Sequence, residues 1–76
     1  MPHVVVKLMA GRTEQVKRRL AEQIVKDVMT ILGSGEESVS IAIDDVPPGE
    51  WGKVYKADIL PNWERLYKEP GYDAPS

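Results

Sequence analysis

The sequence GRTEQVKRRLAEQIVKDVMTILG, residues 11–33, carries the strongest structural signal in this chain of 76 residues. Thr13 is a favoured N-cap, Glu14 suits the positive end of the helix dipole, and Gly33 is the residue type that ends helices. Apolar residues between these ends recur at the spacing that forms one helical face, so the stretch predicts one long amphipathic helix over residues 14–32. The apolar face consists of Val16, Leu20, Ile24, Val28 and Leu32.

A predicted strand lies on each side of this helix. Residues 3–8, HVVVKL, are rich in β-branched side chains, and the valine run indicates burial on both faces of the strand. Residues 38–46 alternate, with Val39, Ile41 and Ile43 on one face. A strand, a helix and a second strand form a βαβ unit, so we expect parallel strands joined by a right-handed crossover.

The rest of the chain predicts a turn and a second helix. A proline-rich turn at residues 47–49 ends the second strand, and residues 51–68 have helical composition with a break near Leu60, because Pro61 follows. The length predicts a single domain, residues 1–76. Because two strands make a poor sheet with two unpaired edges, we expect a second copy of the chain to complete the sheet.

Composition narrows the classes of protein. Ten basic and twelve acidic residues in mixed order leave a net charge of −2, which argues against a nucleic-acid-binding protein. Without cysteine there is no disulfide, and a single histidine cannot make a structural zinc site. No apolar run approaches the roughly 20 residues of a membrane span, and Lys7 and Arg12 come too early for a signal peptide. We therefore expect a cytoplasmic protein without membrane contacts, stabilised by homo-oligomerisation.

Pro2 is the first candidate for chemistry, because removal of Met1 turns its nitrogen into a secondary amine. An α-amino group ordinarily has a pKa of about 7.7–8.0. An apolar pocket or a nearby cation lowers the pKa of such an amine, which then acts as a base near neutral pH. Taken alone, however, Pro2 is more simply interpreted as a proline that follows methionine by chance.

Three other residues have two interpretations each. Arg12 lies beside a helix N-terminus, a favourable place for an anion, but an isolated loop arginine is usually solvated. Trp51 follows the proline-rich turn and either lines a pocket or anchors the segment against the core or a partner subunit. His3 is most simply a strand residue, although it stands next to the candidate amine.

The order and spacing of these features resemble the 4-oxalocrotonate tautomerase family over nearly the whole chain. The resemblance rests on the Met1-Pro2 start and three short stretches, GR at residues 11–12, SVSIAI at 38–43 and GEWG at 49–52. The MPH start and the sequence KEPGY near the end resemble the PptA-like branch of the family. The resemblance implies an α/β protein with the β-α-β tautomerase (MIF-like) fold, in which dimerisation completes the sheet.

The resemblance also implies roles for four residues. Pro2 is expected to be the catalytic general acid/base, Arg12 to bind the substrate carboxylate, and Trp51 to occupy the position of an aromatic residue that keeps the pocket apolar. The family has a second arginine where this chain has Ser40, which would then be a substrate-binding residue of another kind. Because a hydroxyl cannot neutralise a second carboxylate, the resemblance favours a monocarboxylate enol such as phenylenolpyruvate over a dicarboxylate such as 2-hydroxymuconate.

The expected function is that of a keto–enol tautomerase that needs no metal and no organic cofactor, assembled as a dimer rather than a hexamer. Two alternatives stay open. One is another proline-dependent activity, such as dehalogenation, hydration or decarboxylation, with Glu50 or Asp44 as a water-activating acid. The other is a non-catalytic βαβ ligand-binding module in which Pro2 is incidental.

Overall fold

The computed structural model describes residues 1–75, which divide into two compact units, one comprising Met1–Asp45 and the other beginning at Val46. The first unit contains strand β1 (His3–Met9), helix α1 (Glu14–Leu32) and most of strand β2 (Ser40–Val46). Within the described residues the two strands are neighbours in one parallel sheet. The α/β class and the β-α-β order predicted from the sequence are confirmed.

Helix α1 begins and ends where the sequence predicts, because both caps form. The Thr13 hydroxyl accepts a hydrogen bond from the amide of Val16 at 3.2 Å. Gly33 has φ = 70°, in the left-handed region that favours glycine, and its amide donates to the Met29 carbonyl at 3.0 Å. No helix in residues 1–75 combines the length and the apolar character needed to cross a bilayer.

Strand β2 is two residues shorter than predicted. Residues Glu36–Ser38 form a short 3-10 turn, and both the amide and the hydroxyl of Ser38 donate to the Gly35 carbonyl, at 3.0 and 2.9 Å. Ser38 therefore closes a turn instead of starting the strand. A serine hydroxyl can hydrogen-bond to nearby backbone groups and so compete with strand pairing, which the side chain of a β-branched apolar residue cannot do.

Strand β1 is buried on one face only, so the predicted burial on both faces is wrong for a single chain. Val4, Val6 and Leu8 are half-buried, whereas the intervening residues are exposed, Val5 by 49%. The physical reason is that the unit has one helix, which can cover one face of the sheet. The other face, which we call the open face, includes His3, Val5 and, on β2, Ser40.

The second unit is mainly helical, and its helical part is shorter than the predicted range of 51–68. Helix α2 (Trp51–Val54) continues as a π-helical turn (Tyr55–Ile59) and a 3-10 segment (Leu60–Arg65). The change of helix type at Leu60 agrees with the break predicted from Pro61, which has no amide hydrogen for the helical ladder. Leu66 is already extended, with ψ = 123°.

Candidate active site

Pro2 lies immediately before β1 and is held by the start of β2. Its carbonyl accepts a hydrogen bond from the Ser40 amide at 3.2 Å, and the Pro2 side chain is half-buried. Met1, which precedes it, is fully exposed, with a relative accessibility of 105%. The main chain therefore fixes the position of Pro2 while leaving the preceding residue accessible to solvent.

A second contact at this end of the sheet joins two side chains of the open face. Nδ1 of His3 and Oγ of Ser40 lie 2.6 Å apart, a hydrogen-bond distance. Ser40 was predicted as a site residue, whereas His3 was interpreted as an ordinary strand residue. Alternation along the two strands, together with the pairing of their first residues, is the signal that could have placed both side chains on one face.

Arg12 lies at the other end of β1. Its guanidinium donates to the Met9 carbonyl at 3.1 Å, so the charge stays beside the last residue of the strand. The strand has seven residues, and at about 3.3 Å per residue its two ends are about 20 Å apart. A small keto acid cannot span that distance, so Pro2 and Arg12 of one chain do not share a site.

The start of α1 is joined to the end of β2 by an ion cluster just beyond Arg12. Lys17 Nζ contacts Asp45 Oδ2 at 2.8 Å and Glu14 Oε1 at 3.0 Å. The hydrogen bond that Lys17 donates to Asp45, followed by the one that it donates to Glu14, raises the pKa of Lys17 above its ordinary value of 10.5. The cluster keeps the β1–α1 turn, and with it the Arg12 backbone, attached to the carboxyl end of the sheet.

Trp51 belongs to the second unit, whereas the other three predicted site residues belong to the first. Its indole Nε1–H donates to the hydroxyl of Tyr72 at 2.8 Å. The Tyr55 hydroxyl in turn donates to the Tyr72 carbonyl at 3.3 Å, and the two tyrosine rings are 5.8 Å apart between centroids. Trp51 is therefore half-buried and fixed by the C-terminal tail, a contact that the sequence analysis did not predict.

The tail also passes close to the start of α2. A Cβ added at Gly52 would lie 3.0 Å from the Pro75 carbonyl oxygen, a very tight contact with main chain. Glycine at this position lets the tail approach the helix.

The first unit thus contains two sets of polar groups at opposite ends of one short sheet. One end has Pro2 with the His3–Ser40 pair, and the other has the guanidinium of Arg12. A proline amine can transfer a proton, and a guanidinium can bind a carboxylate in a bidentate manner. Residues 1–75 contain no cluster of three or more histidine, aspartate or glutamate side chains arranged to hold a metal ion.

Comparison with known sequences gives one family. The family profile described as "Tautomerase enzyme" matches residues 2–57. A probable tautomerase of Xylella fastidiosa is 42% identical over 73 residues, covering 95% of this chain and 89% of that protein. Tautomerase PptA of Escherichia coli is 37% identical over 73 residues, covering 95% of this chain and 97% of that protein.

Solved structures show the same fold. A structure from work on the 4-oxalocrotonate tautomerase isozymes of Methylibium petroleiphilum matches with a TM-score of 0.64 and 36% identity, covering 66% of this chain and 81% of that one. YwhB, a homologue of 4-oxalocrotonate tautomerase, matches with a TM-score of 0.59 and 35% identity, covering 60% of this chain and 75% of that one. The resemblance stated from the sequence is confirmed. The chain belongs to the tautomerase family, whose enzymes are isomerases that act on small substrates.

Proposed function

We propose that this chain is a cofactor-independent keto–enol tautomerase in which Pro2, exposed as the N-terminal residue by removal of Met1, is the catalytic acid/base. Membership of the tautomerase family supports the activity in general. The observation that carries the assignment to Pro2 is the 3.2 Å hydrogen bond from the Ser40 amide to the Pro2 carbonyl. This bond fixes the main chain of Pro2 and so restrains the position of the Pro2 nitrogen. A base must be held in place if it is to transfer protons efficiently.

The reaction moves one proton. The neutral Pro2 nitrogen removes the proton from the enol hydroxyl, and the resulting ammonium returns a proton to the carbon of the former double bond, which gives the ketone. In the reverse direction the nitrogen removes the proton from carbon. Arg12 binds the substrate carboxylate and stabilises the negative charge of the enolate between the two steps. Trp51 keeps water away from the amine as an apolar wall.

The active site is formed by more than one copy of the chain. The length of β1 supports this, because His3 and Met9 are about 20 Å apart and the Arg12 guanidinium contacts Met9, so one substrate molecule cannot contact both groups of one chain. We propose a homodimer rather than a hexamer. Each copy is a single domain, residues 1–76, and contributes two strands to one four-stranded sheet. We also propose the cytoplasmic location that the sequence predicts.

The substrate proposed is a monocarboxylate enol such as phenylenolpyruvate. Arg12 provides one cation for one carboxylate, and Ser40 provides a hydroxyl where a second cation would be needed for a dicarboxylate. An aromatic or other apolar substituent suits a pocket that includes the Trp51 indole.

The direct test is to change the N-terminal amine. Mass spectrometry of the wild-type protein should show a chain that begins at Pro2. Pro2→Leu retains Met1, because methionine is not removed efficiently before a large residue, and we expect ketonisation of phenylenolpyruvate to fall by about 10²- to 10⁴-fold, the contribution of a general base. Pro48→Ala, in the exposed turn after β2, is the matched control and should keep wild-type turnover.

The outcomes separate this proposal from the alternatives. Wild-type turnover by Pro2→Leu with Met1 retained would contradict the role of Pro2. Turnover of a halogenated or decarboxylating substrate, with none of the enol, would favour another proline-dependent reaction. Binding of keto acids without turnover of any of them would favour a ligand-binding module.

A further inference from the structure

We propose that His3 and Ser40 form a specificity-determining pair that donates one hydrogen bond to the uncharged keto or enol oxygen of a monocarboxylate substrate bound at Pro2. The inference rests on the proposed function, since it assigns the substrate oxygen that this end of the sheet recognises. It adds His3 to the site and gives Ser40 a stated role.

The pair is placed beside Pro2 by two contacts of one residue. The Ser40 amide donates to the Pro2 carbonyl at 3.2 Å, and the Ser40 hydroxyl lies 2.6 Å from Nδ1 of His3, the residue after the proline. Both side chains are exposed and lie on the open face of the sheet. We infer that a ligand at the proline nitrogen lies beside the two strand ends that carry these polar side chains.

Counting hydrogens shows what the pair can bind. If the hydroxyl donates to Nδ1, the other ring nitrogen, Nε2, carries the remaining hydrogen and can donate it to a ligand. If Nδ1–H donates to the hydroxyl oxygen, the hydroxyl hydrogen is the one left over. With a neutral imidazole, each arrangement leaves one donor hydrogen directed outside the pair and no net charge.

One uncharged donor suits one class of acceptor. A keto or enol oxygen accepts a single hydrogen bond and gains partial negative charge as the enolate forms, so the same donor stabilises the charge that develops during the reaction. A carboxylate is bound best by a bidentate cation, which the pair does not provide. The pair therefore favours substrates whose second recognised group is the oxygen beside the single carboxylate.

Two ligands that differ in this oxygen give the cleanest test. Phenylpyruvate has a 2-keto oxygen and 3-phenylpropanoate lacks it, while both have one carboxylate and one phenyl ring. We expect the wild-type protein to bind phenylpyruvate about 3- to 10-fold more tightly, which corresponds to one neutral hydrogen bond. Dissociation constants are measured by titration followed by NMR, which needs no turnover.

The variants isolate the two side chains. Ser40→Ala removes the hydroxyl but keeps the backbone amide that holds Pro2, and His3→Ala removes the ring. Each variant should bind phenylpyruvate and 3-phenylpropanoate about equally tightly, because the same single hydrogen bond is lost. Ser40→Thr keeps the hydroxyl and should retain the preference, which a merely structural role of Ser40 would not require. Circular dichroism of each variant checks that α1 is intact.

A charge-introducing variant tests selectivity from the other side. Ser40→Arg supplies the second cation, and we expect kcat/KM for the dicarboxylate 2-hydroxymuconate, relative to phenylenolpyruvate, to rise by about tenfold or more.

The proposal is overturned if the wild-type protein shows no preference between the two ligands, if it binds neither, or if the preference survives in either alanine variant. Failure of the proposed function is a separate result. In that case the enol is not turned over, while the ligand preference and its loss in the variants still test the pair.

Discussion

Lys17 illustrates how a single residue stabilises the region around a proposed binding group. Its ammonium is shared by Asp45 of β2 and Glu14 of α1, and its side chain is only 14% exposed. The contact with Asp45 connects residues 28 positions apart in the sequence, whereas Glu14 lies in the same helix. Asp45 is therefore the partner that holds the start of α1 to the sheet.

The first prediction concerns the pH dependence of this contact. Because hydrogen bonds with Asp45 and Glu14 raise the pKa of Lys17 above 10.5, the charged cluster stabilises the fold fully below pH 10.5 and loses that contribution as the pH rises through the raised pKa. Asp45→Asn should lower the melting temperature at pH 7, and the difference from wild type should shrink above pH 11 or so.

Thermal unfolding followed by circular dichroism across this pH range is the measurement. Asp44→Asn is the matched control, because alternation along β2 directs Asp44 to the opposite face from Asp45. A melting temperature lowered equally by both substitutions, or a difference that persists at pH 11.5 or so, would contradict the role given to Lys17.

At the scale of elements, the tail residue Tyr72 connects α2 to the end of the chain. Its hydroxyl accepts from Trp51, its carbonyl accepts from Tyr55, and its ring packs against that of Tyr55. Tyr55 is the most buried side chain of the unit, with 4% exposure. The tail thus orients an indole that is proposed to line the pocket, and Tyr72 is a positioning residue rather than a catalytic one.

We predict that Tyr72→Phe releases the Trp51 indole while keeping the ring contact with Tyr55. Loss of one neutral hydrogen bond should lower the free energy of unfolding by about 0.5–1.5 kcal/mol. In a Trp63→Phe background, the fluorescence of Trp51 should shift to the red, and KM for phenylenolpyruvate should rise more than kcat falls.

Tyr67→Phe supplies the control for this substitution, since Tyr67 is fully exposed, with a relative accessibility of 107%. It removes the same hydroxyl from a tyrosine of the same unit. If the two variants have the same stability, emission and KM, the positioning role of Tyr72 is wrong.

The elements were predicted well where local chemistry alone fixes them. Thr13 and Gly33 define both ends of α1 through bonds within a few residues, so the sequence predicts that helix without error. The start of β2 was misplaced because the Ser38 side chain closes a turn. The end of the C-terminal helix was predicted three residues too late, at 68 instead of Arg65, because helical composition continues past the point where the backbone of Leu66 becomes extended.

On the scale of the whole molecule, the main feature is that the groups proposed for proton transfer and for carboxylate binding lie at opposite ends of the sheet of one chain. Pro2 and Ser40 lie at one end of the sheet, while Arg12 lies at the other. The open face, with Val5 49% exposed, and the two unpaired strand edges are surfaces that a second copy could cover. Both features favour an assembly in which each site takes groups from two chains.

Subunit mixing tests this arrangement. Pro2→Leu and Arg12→Ala should each have strongly reduced turnover alone, but co-refolding the two at equal amounts should restore about one quarter of wild-type turnover. Each site then has an even chance of an intact proline from one chain and an even chance of an intact arginine from another.

Wild-type chains mixed with chains that carry both substitutions provide the control. Mixed at equal amounts, these chains should retain about one quarter of wild-type turnover if sites are shared, and about one half if each chain has its own complete site. Absence of recovery in the first mixture, together with one half in the second, would contradict a shared site.

The candidate site was predicted only in part. Pro2, Arg12, Ser40 and Trp51 were expected to be site residues from the family resemblance, and the structure brings Pro2 and Ser40 together through the pairing of the two strands. Arg12 is separated from Pro2 by the length of β1 and by the hydrogen bond from its guanidinium to the Met9 carbonyl. Neither the strand length nor this bond follows from knowing which residues belong to the site. His3 was noted for its position beside Pro2 but was not included among the predicted site residues, because its contact with Ser40 depends on how the two strands pair.

The length of β1 also bears on how the turnover rate depends on the concentration of the chain. If each site takes Pro2 from one chain and Arg12 from another, as we propose, an isolated chain has no complete site. Under that proposal, at chain concentrations well below the dissociation constant of the pair, doubling the concentration raises the turnover rate about fourfold, since pairs form in proportion to its square. The proposed assembly thereby makes turnover depend steeply on the concentration of the chain, with no effector molecule involved.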